Sequence, residues 1–236
     1  MRVNGRNIGK QVDDLCEEIE RRAKEEARRE LKLVPFEGAA FSNVRWKLGR
    51  INIGIHKDLP THAVPHALAV ALHHVRQRLD RYPDVHRPYP GGSEEASPVR
   101  TTLRELVLAP EAELHIAELG LDREWETQQR HDAMKQLIEQ APKAWQRKGN
   151  LGNTFAALQY ARMELEHPPA MWRSLRKQMR ERMPVASELG AEVAKAVKKH
   201  GWASADACFE SLVESRDLLR LKREALIGDR QSGQMR

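Results

Sequence analysis

Apolar side chains recur at three- and four-residue steps near the start of the chain. Val12, Leu15, Ile19, Ala23, Ala27 and Leu31 follow this spacing, with charges at most positions between them. The period predicts one long amphipathic helix over residues 11–33, supported by i,i+4 pairs such as Glu18/Arg22 and stopped by Pro35. So narrow a stripe predicts packing on the body of the protein or against a second copy. Residues 39–57 change to period two. Phe41, Val44, Trp46, Ile51, Ile53 and Ile55 are β-branched or aromatic, and Leu48-Gly49-Arg50 reads as a hairpin turn. A two-stranded antiparallel ribbon is expected there.

Helical spacing returns over 61–81, where Val64, Leu68, Leu72, Val75 and Leu79 line one face. Residues 82–98 are proline-rich with a Gly-Gly pair, so they form a meander or loop that no helix crosses. Further helices are expected at 99–108, 110–119, 122–140, 151–166, 170–182, 186–200 and 204–226. Gly120 and Gly201 serve as stops, and Ser204 as an N-cap. The fold class is therefore mostly α with a small antiparallel β-ribbon near the N-terminus (α+β), ending in a C-terminal helical bundle. Its expected segments are a long helix at 1–35, an α+β domain at 36–142, a basic helical domain at 143–228 and a frayed tail at 229–236.

Composition narrows the classes. The 236 residues carry 40 Lys+Arg against 34 Asp+Glu, for a formal net charge of +6. No apolar run approaches the roughly 18–20 residues of a membrane helix, and the first residues lack a signal-peptide-like apolar stretch. The two cysteines, Cys16 and Cys208, make no cysteine-only zinc site, so a reducing, cytoplasmic setting is expected. The charge is unevenly placed. Residues 101–142 hold 4 basic against 9 acidic side chains, and residues 143–182 hold 9 basic against 3 acidic. The basic block contains Lys143, Arg147, Lys148, Arg173, Arg176, Lys177 and Arg180, with Trp172 among them. Such a block suits a phosphate backbone or an acidic protein surface, and Trp172 is a candidate for stacking on an exposed base. A solvated helix face and a tryptophan plug between helices are the plainer alternatives.

Four of the ten histidines, His62, His66, His73 and His74, lie within thirteen residues. Imidazoles one helical turn apart can reach one metal ion, and His62 and His66 have that spacing. No glutamate stands between them to act as general base, and a hydrogen-bonded core role is the alternative. There is no phosphate-binding glycine loop and no nucleophile elbow.

The order of a strand pair, an apolar helix, a Tyr-Pro loop and later helices closing on Ala-Glu-Leu-Gly-Leu-Asp (117–122) resembles the ImmA/IrrE-type zinc metallopeptidase-like proteins of bacteria and phages, over residues 40–125. The resemblance implies that the helix after the sheet carries the metal motif, here His73-His74-Val75-Arg76-Gln77. The first histidine is kept, while His74 stands at the general-base position and Gln77 at the second ligand. Glu105 is the third-ligand candidate. A zinc site, if built, would draw on His62, His66, His73 and Glu105.

Three readings follow. The first is a non-catalytic accessory protein of bacterial or phage type, degenerate as a peptidase, that engages nucleic acid or a nucleoprotein complex through its basic C-terminal helices. The second is a metal-dependent hydrolase with a non-standard His/Glu site. The third is a protein–protein module, inhibitor or assembly factor, self-associating or binding a partner through residues 11–33.

Overall fold

The computed structural model describes residues 2–3, 5–38 and 40–236. In chain order the elements are β1 (Arg2–Val3), β2 (Arg6–Asn7), α1 (Lys10–Ala27), β3 (Glu30–Phe36), β4 (Ser42–Lys47), β5 (Arg50–His56), α2 (Val64–Leu79), β6 (Asp84–His86), α3 (Ser97–Ile116), α4 (Glu124–Gln140), α5 (Leu151–Glu166), α6 (Pro169–Arg182), α7 (Pro184–His200), α8 (Ala205–Leu218) and β7 (Leu226–Gly228). Short 3-10 turns lie at Thr61–Ala63, Ala117–Leu119 and Lys143–Gln146. The fold is mostly α with a small β component, as the pattern predicts. It divides into two units, each with its own core. One holds residues up to Asp80 with Glu111–Glu126, and the other holds Arg81–Pro110 with Thr127–Arg236. The divisions do not fall at residues 35 and 142, and the first helix shares the sheet's unit.

In the first unit β5 is the centre of a three-stranded sheet, antiparallel to β4 and parallel to β3. The expected hairpin is present, and β3 is an addition to it. Ile51, Ile53 and Ile55 are fully buried on one face, in a core shared with α1 and α2. The helix expected to reach residue 33 ends at Ala27. Arg28 turns left-handed at φ 52°, and the Arg29 N–H bonds back to the Ala23 carbonyl. Beyond it Leu31 and Leu33 follow period two, and Pro35 is tolerated because β3 is an edge strand. The α1 stripe of Val12, Cys16, Ile19 and Ala23 is buried in this same core, so it packs on the body of the protein. Trp46 is covered by the guanidinium groups of Arg29 and Arg78, at 5.3 and 4.4 Å from its ring.

The second unit is a helical assembly around Leu103, Leu106, Tyr160, Leu175, Met179, Val193 and Leu212. Two expected helices are one, because α3 runs through Pro110 and forgoes the bond that proline removes. Buried Leu106 and Val107 before the proline, and Ala112 and Ile116 after it, hold both halves. The final helix stops at Leu218 instead of 226. The chain then returns as β7, which pairs antiparallel with β6. The expected frayed tail is paired as well. Ile227 and Arg236 exchange backbone hydrogen bonds of 2.7 and 2.9 Å, and Arg236 lies over Phe209. The proline-rich stretch is an ordered meander. Ser93 N–H donates to Glu224 at 2.8 Å, and Arg100 donates to the Ser93 and Glu224 carbonyls at 2.8 and 3.1 Å. Ser204 caps α8 as expected, accepting from Ala207 N–H.

Where α5 and α7 cross, Gly190 leaves no room for a side chain. A Cβ there would stand 2.6 Å from the Ala157 carbonyl oxygen and 2.8 Å from Tyr160 Cβ. Gly190→Ala is expected to lower stability by about 1–3 kcal/mol through overpacking. Urea denaturation checks this, and an unchanged midpoint would contradict the close crossing.

Candidate functional site

Two places gather the residues that carry chemistry. The first is a polar seam in the sheet-bearing unit. Helix α2 is apolar on nearly every side, with Val64, Leu68, Leu72 and Val75 fully buried, yet it also buries His66, His73 and Gln77. These three are seven and four residues apart, which puts them on one stripe. Between them Ala69 packs with Ala112 and Ile116 of the second half of α3. Glu111, Glu113 and His115 of that same half-helix meet the α2 stripe.

Glu111 is 1% exposed and takes four hydrogen bonds. Arg76 Nη2 donates to both of its oxygens at 2.5 and 2.6 Å, Gln77 Nε2 donates at 2.6 Å, and His115 Nε2 lies 3.2 Å away. The same guanidinium donates from Nε to His73 Nδ1 at 3.0 Å and from Nη1 to Asp80 at 3.1 Å. His73 stacks on His115 with ring centroids 5.4 Å apart. Burial, and then the charge of Arg76, push His73 down to about 4. It is therefore a neutral imidazole whose Nδ1 accepts and whose proton sits on Nε2.

His66 is answered in the opposite sense. Its Nδ1 lies 2.8 Å from Glu126, and its Nε2 lies 3.2 Å from Glu113, which Arg123 also approaches at 3.3 Å. Burial alone would lower it, but the hydrogen bonds to Glu113 and then Glu126 overcome that and raise it to about 9. At neutral pH it is an imidazolium donating from both nitrogens, and it in turn holds the Glu113 carboxyl below its usual range despite burial.

These assignments decide the fit to zinc. Both ring nitrogens of His66 face carboxylates, His73 Nδ1 is taken by Arg76, and Glu111 is filled by Arg76 and Gln77. His62 is exposed in the 3-10 turn before α2, and Glu105 lies in the second unit with an ion pair to Arg104 at 2.6 Å. Among the described residues no three His, Cys, Asp or Glu side chains converge as metal ligands. Within the first unit His62, His66 and His73 do not converge, and no set among the described residues fits a zinc ion. Arg76, Glu111, Glu113, His115 and Glu126 were not singled out in the sequence. Their signal was the acidic excess of residues 101–142 following a histidine-rich apolar helix.

The second place is the basic surface of the helical unit. On α6 Trp172, Leu175 and Met179 are buried, while Arg173, Lys177 and Arg180 point outward at i, i+4 and i+7. The 3-10 turn carrying Lys143 is tied to the end of this helix. Gln146 donates to the Arg182 carbonyl at 3.1 Å, and Arg182 donates to the Ile138 carbonyl at 3.4 Å. Exposed Lys143, Arg147 and Lys148 thereby adjoin the C-terminal end of α6. Arg176 is half-buried and directed at Glu164, 3.4 Å away. Trp172 is no stacking platform. Its ring is 4% exposed, its Nε1–H donates to Glu164 at 2.8 Å, and it meets Tyr160 edge-on at 5.2 Å. The expectation for Trp172 is corrected, because it belongs to the apolar stripe of α6.

A third imidazole arrangement lies in the helical unit. His131 Nδ1 and His167 Nε2 are 3.2 Å apart, and burial followed by His131 and Arg130 pushes His167 down to about 4. No protein-family model, curated protein or solved structure matches the chain.

The histidines predict a domed pH dependence of stability. His66 is raised above 6.5, so its contribution of about 3 kcal/mol is whole below pH 6.5 and is lost as the pH rises through 9. His73 and His167 are depressed to about 4, so theirs is present above pH 6.5 and is lost as the pH falls toward 4. Urea denaturation across that range is expected to peak near pH 6.5, and His66→Gln is expected to flatten the alkaline side. A stability that keeps rising to pH 9 would contradict the His66 assignment. Separately, Glu111→Gln removes the anion that balances Arg76 and is expected to cost about 3 kcal/mol. The same denaturation measurement reads it, and a loss below about 1 kcal/mol would contradict the balance.

Proposed function

We propose that this chain is a non-catalytic accessory protein that binds the phosphate backbone of nucleic acid, free or within a nucleoprotein complex. The observation that carries this reading is the alignment of Arg173, Lys177 and Arg180 on one exposed face of α6, beside Lys143, Arg147 and Lys148. Only Glu181, 4.0 Å from Lys177, stands against those charges on the helix itself. Cations held on a helix face release counterions when they meet phosphates, and that gain is indifferent to base sequence. With Trp172 buried, this surface has phosphate contacts and no base-stacking group from α6.

The non-catalytic part rests on the seam. In the ImmA/IrrE-type resemblance of residues 40–125, α2 would present a metal to substrate. Here the charge that answers Glu111 is the Arg76 guanidinium. Among the described residues no set of His, Cys, Asp or Glu side chains supports the hydrolase reading. The partner-module reading through residues 11–33 loses its apolar stripe to the unit's own core.

The test is a salt titration of binding to labelled duplex DNA. Affinity is expected to fall steeply between about 50 and 200 mM salt. Arg173→Gln, Lys177→Gln and Arg180→Gln together are expected to make the log–log salt slope shallower by about 3, equally for unrelated sequences. Arg176→Gln, whose charge already faces Glu164, is expected to change it by less than 1. An unchanged affinity in the triple variant would overturn the proposal.

A further inference from the structure

The sheet of the first unit has a second face, which neither the seam nor the α6 surface uses. Strand pairing sets Glu30, Arg50 and Lys47 in one cross-strand row, and Lys32, Asn52 and Arg45 in the next. Because side chains alternate along a strand, these rows lie opposite the buried Ile51, Ile53 and Ile55. Lys32, Arg45, Lys47 and Arg50 are all exposed, and Glu30 is the single carboxylate in the two rows. Glu30 reaches Lys32 at 3.5 Å, and among the described residues no carboxylate pairs with Arg45, Lys47 or Arg50.

Two rows further along the same face, Phe36 and His56 are directly paired in register. Both are half-buried, and they meet edge to face with centroids 6.2 Å apart. Beside them a Cβ at Gly54 would collide with the Asn43 side-chain oxygen and, at 2.9 Å, with Phe36 Cβ, so β5 carries no side chain there and Asn43 covers the gap. In the central row Asn52 Oδ1 is buried under its neighbours with no hydrogen-bond partner. The face thus offers cations at one end and rings at the other, with the Asn52 side-chain oxygen buried among the cations.

We infer that this sheet face binds single-stranded nucleic acid, with Lys32, Arg45, Lys47 and Arg50 on the phosphates and an unpaired base against Phe36 and His56. Charge complementarity selects a polyanion, and the rings select one that carries flat apolar groups. Duplex is disfavoured because its major groove admits a helix or a two-stranded ribbon, and a three-stranded face is broader than either. Stacked bases inside a duplex also keep their faces from Phe36 and His56. The inference shares with the preceding proposal only the class of ligand. It stands on different residues in a different unit, so either can fail alone.

Fluorescence anisotropy of the full chain with a labelled oligo-dT strand, and with a labelled duplex, tests it. Arg45→Gln, Lys47→Gln and Arg50→Gln together are expected to weaken strand binding at least tenfold and to make its salt slope shallower by about 2. Duplex affinity is expected to stay within about twofold. Phe36→Leu keeps an apolar side chain on the edge strand and is expected to cost at least fivefold on the strand, in line with loss of one stacked base. Thermal melting of each variant reports the fold. Equal losses for strand and duplex, or a strand affinity unchanged in the folded triple variant, would overturn the inference. Equally tight binding of polyglutamate would overturn it too, by showing an acidic protein surface as the occupant. Loss of strand binding here, with the α6 variant unaffected on duplex, would uphold this face while overturning the α6 proposal.

Discussion

A carboxylate with 1% of its surface exposed must be answered by charge, and Glu111 is answered by Arg76. The rest of the sheet-bearing unit is arranged around that requirement. The guanidinium needs several acceptors and finds them in Glu111, His73 and Asp80, while Asp80 is shared with Arg22 of α1 at 2.6 Å. One ion-pair network thereby ties α1, α2 and the second half of α3 together through groups that would each be costly to leave alone. His66 repeats the device farther along α2, as a cation held between Glu113 and Glu126.

This arrangement has a chemical consequence. Within the seam, His66, His73 and Glu111 each spend polar atoms on neighbouring side chains. His66 gives one N–H to each of two carboxylates, and the Nδ1 lone pair of His73 is held by Arg76. The surfaces proposed to meet a ligand lie elsewhere, where exposed cations outnumber the carboxylates beside them. The outward face of α6 and the open face of the sheet are two such surfaces, on separate units.

Much of the fold was legible because burial writes its period into the chain. Residues 151–166 and the Ile51–Ile53–Ile55 alternation are read directly from spacing, and the structure has helix and strand there. The errors come where two periods overlap or one residue was given too much weight. Ala23, Ala27 and Leu31 continue a helical step into β3, while Leu31 and Leu33 already alternate, and pairing with β5 decides in favour of the strand. Pro110 reads as a break, yet buried residues on both sides carry α3 through it. Glu105, the ligand candidate the resemblance implied, lies before that proline, and Glu111, which meets Arg76, lies just after it. Trp172 was visible as core in its spacing to Leu175 and Met179, and only its basic neighbours suggested otherwise. The seam itself was the least legible part, because its partners on different helices are 34 to 60 residues apart and only the packing of α2 against α3 and the start of α4 brings them together.

The account turns on a guanidinium answering the buried carboxylate of Glu111. Elemental analysis of the full chain, purified without chelator and with zinc supplied during expression, tests that most directly. The account predicts zinc far below one atom per chain, with stability unchanged by a chelator. About one zinc per chain, lost in His73→Ala, would contradict it.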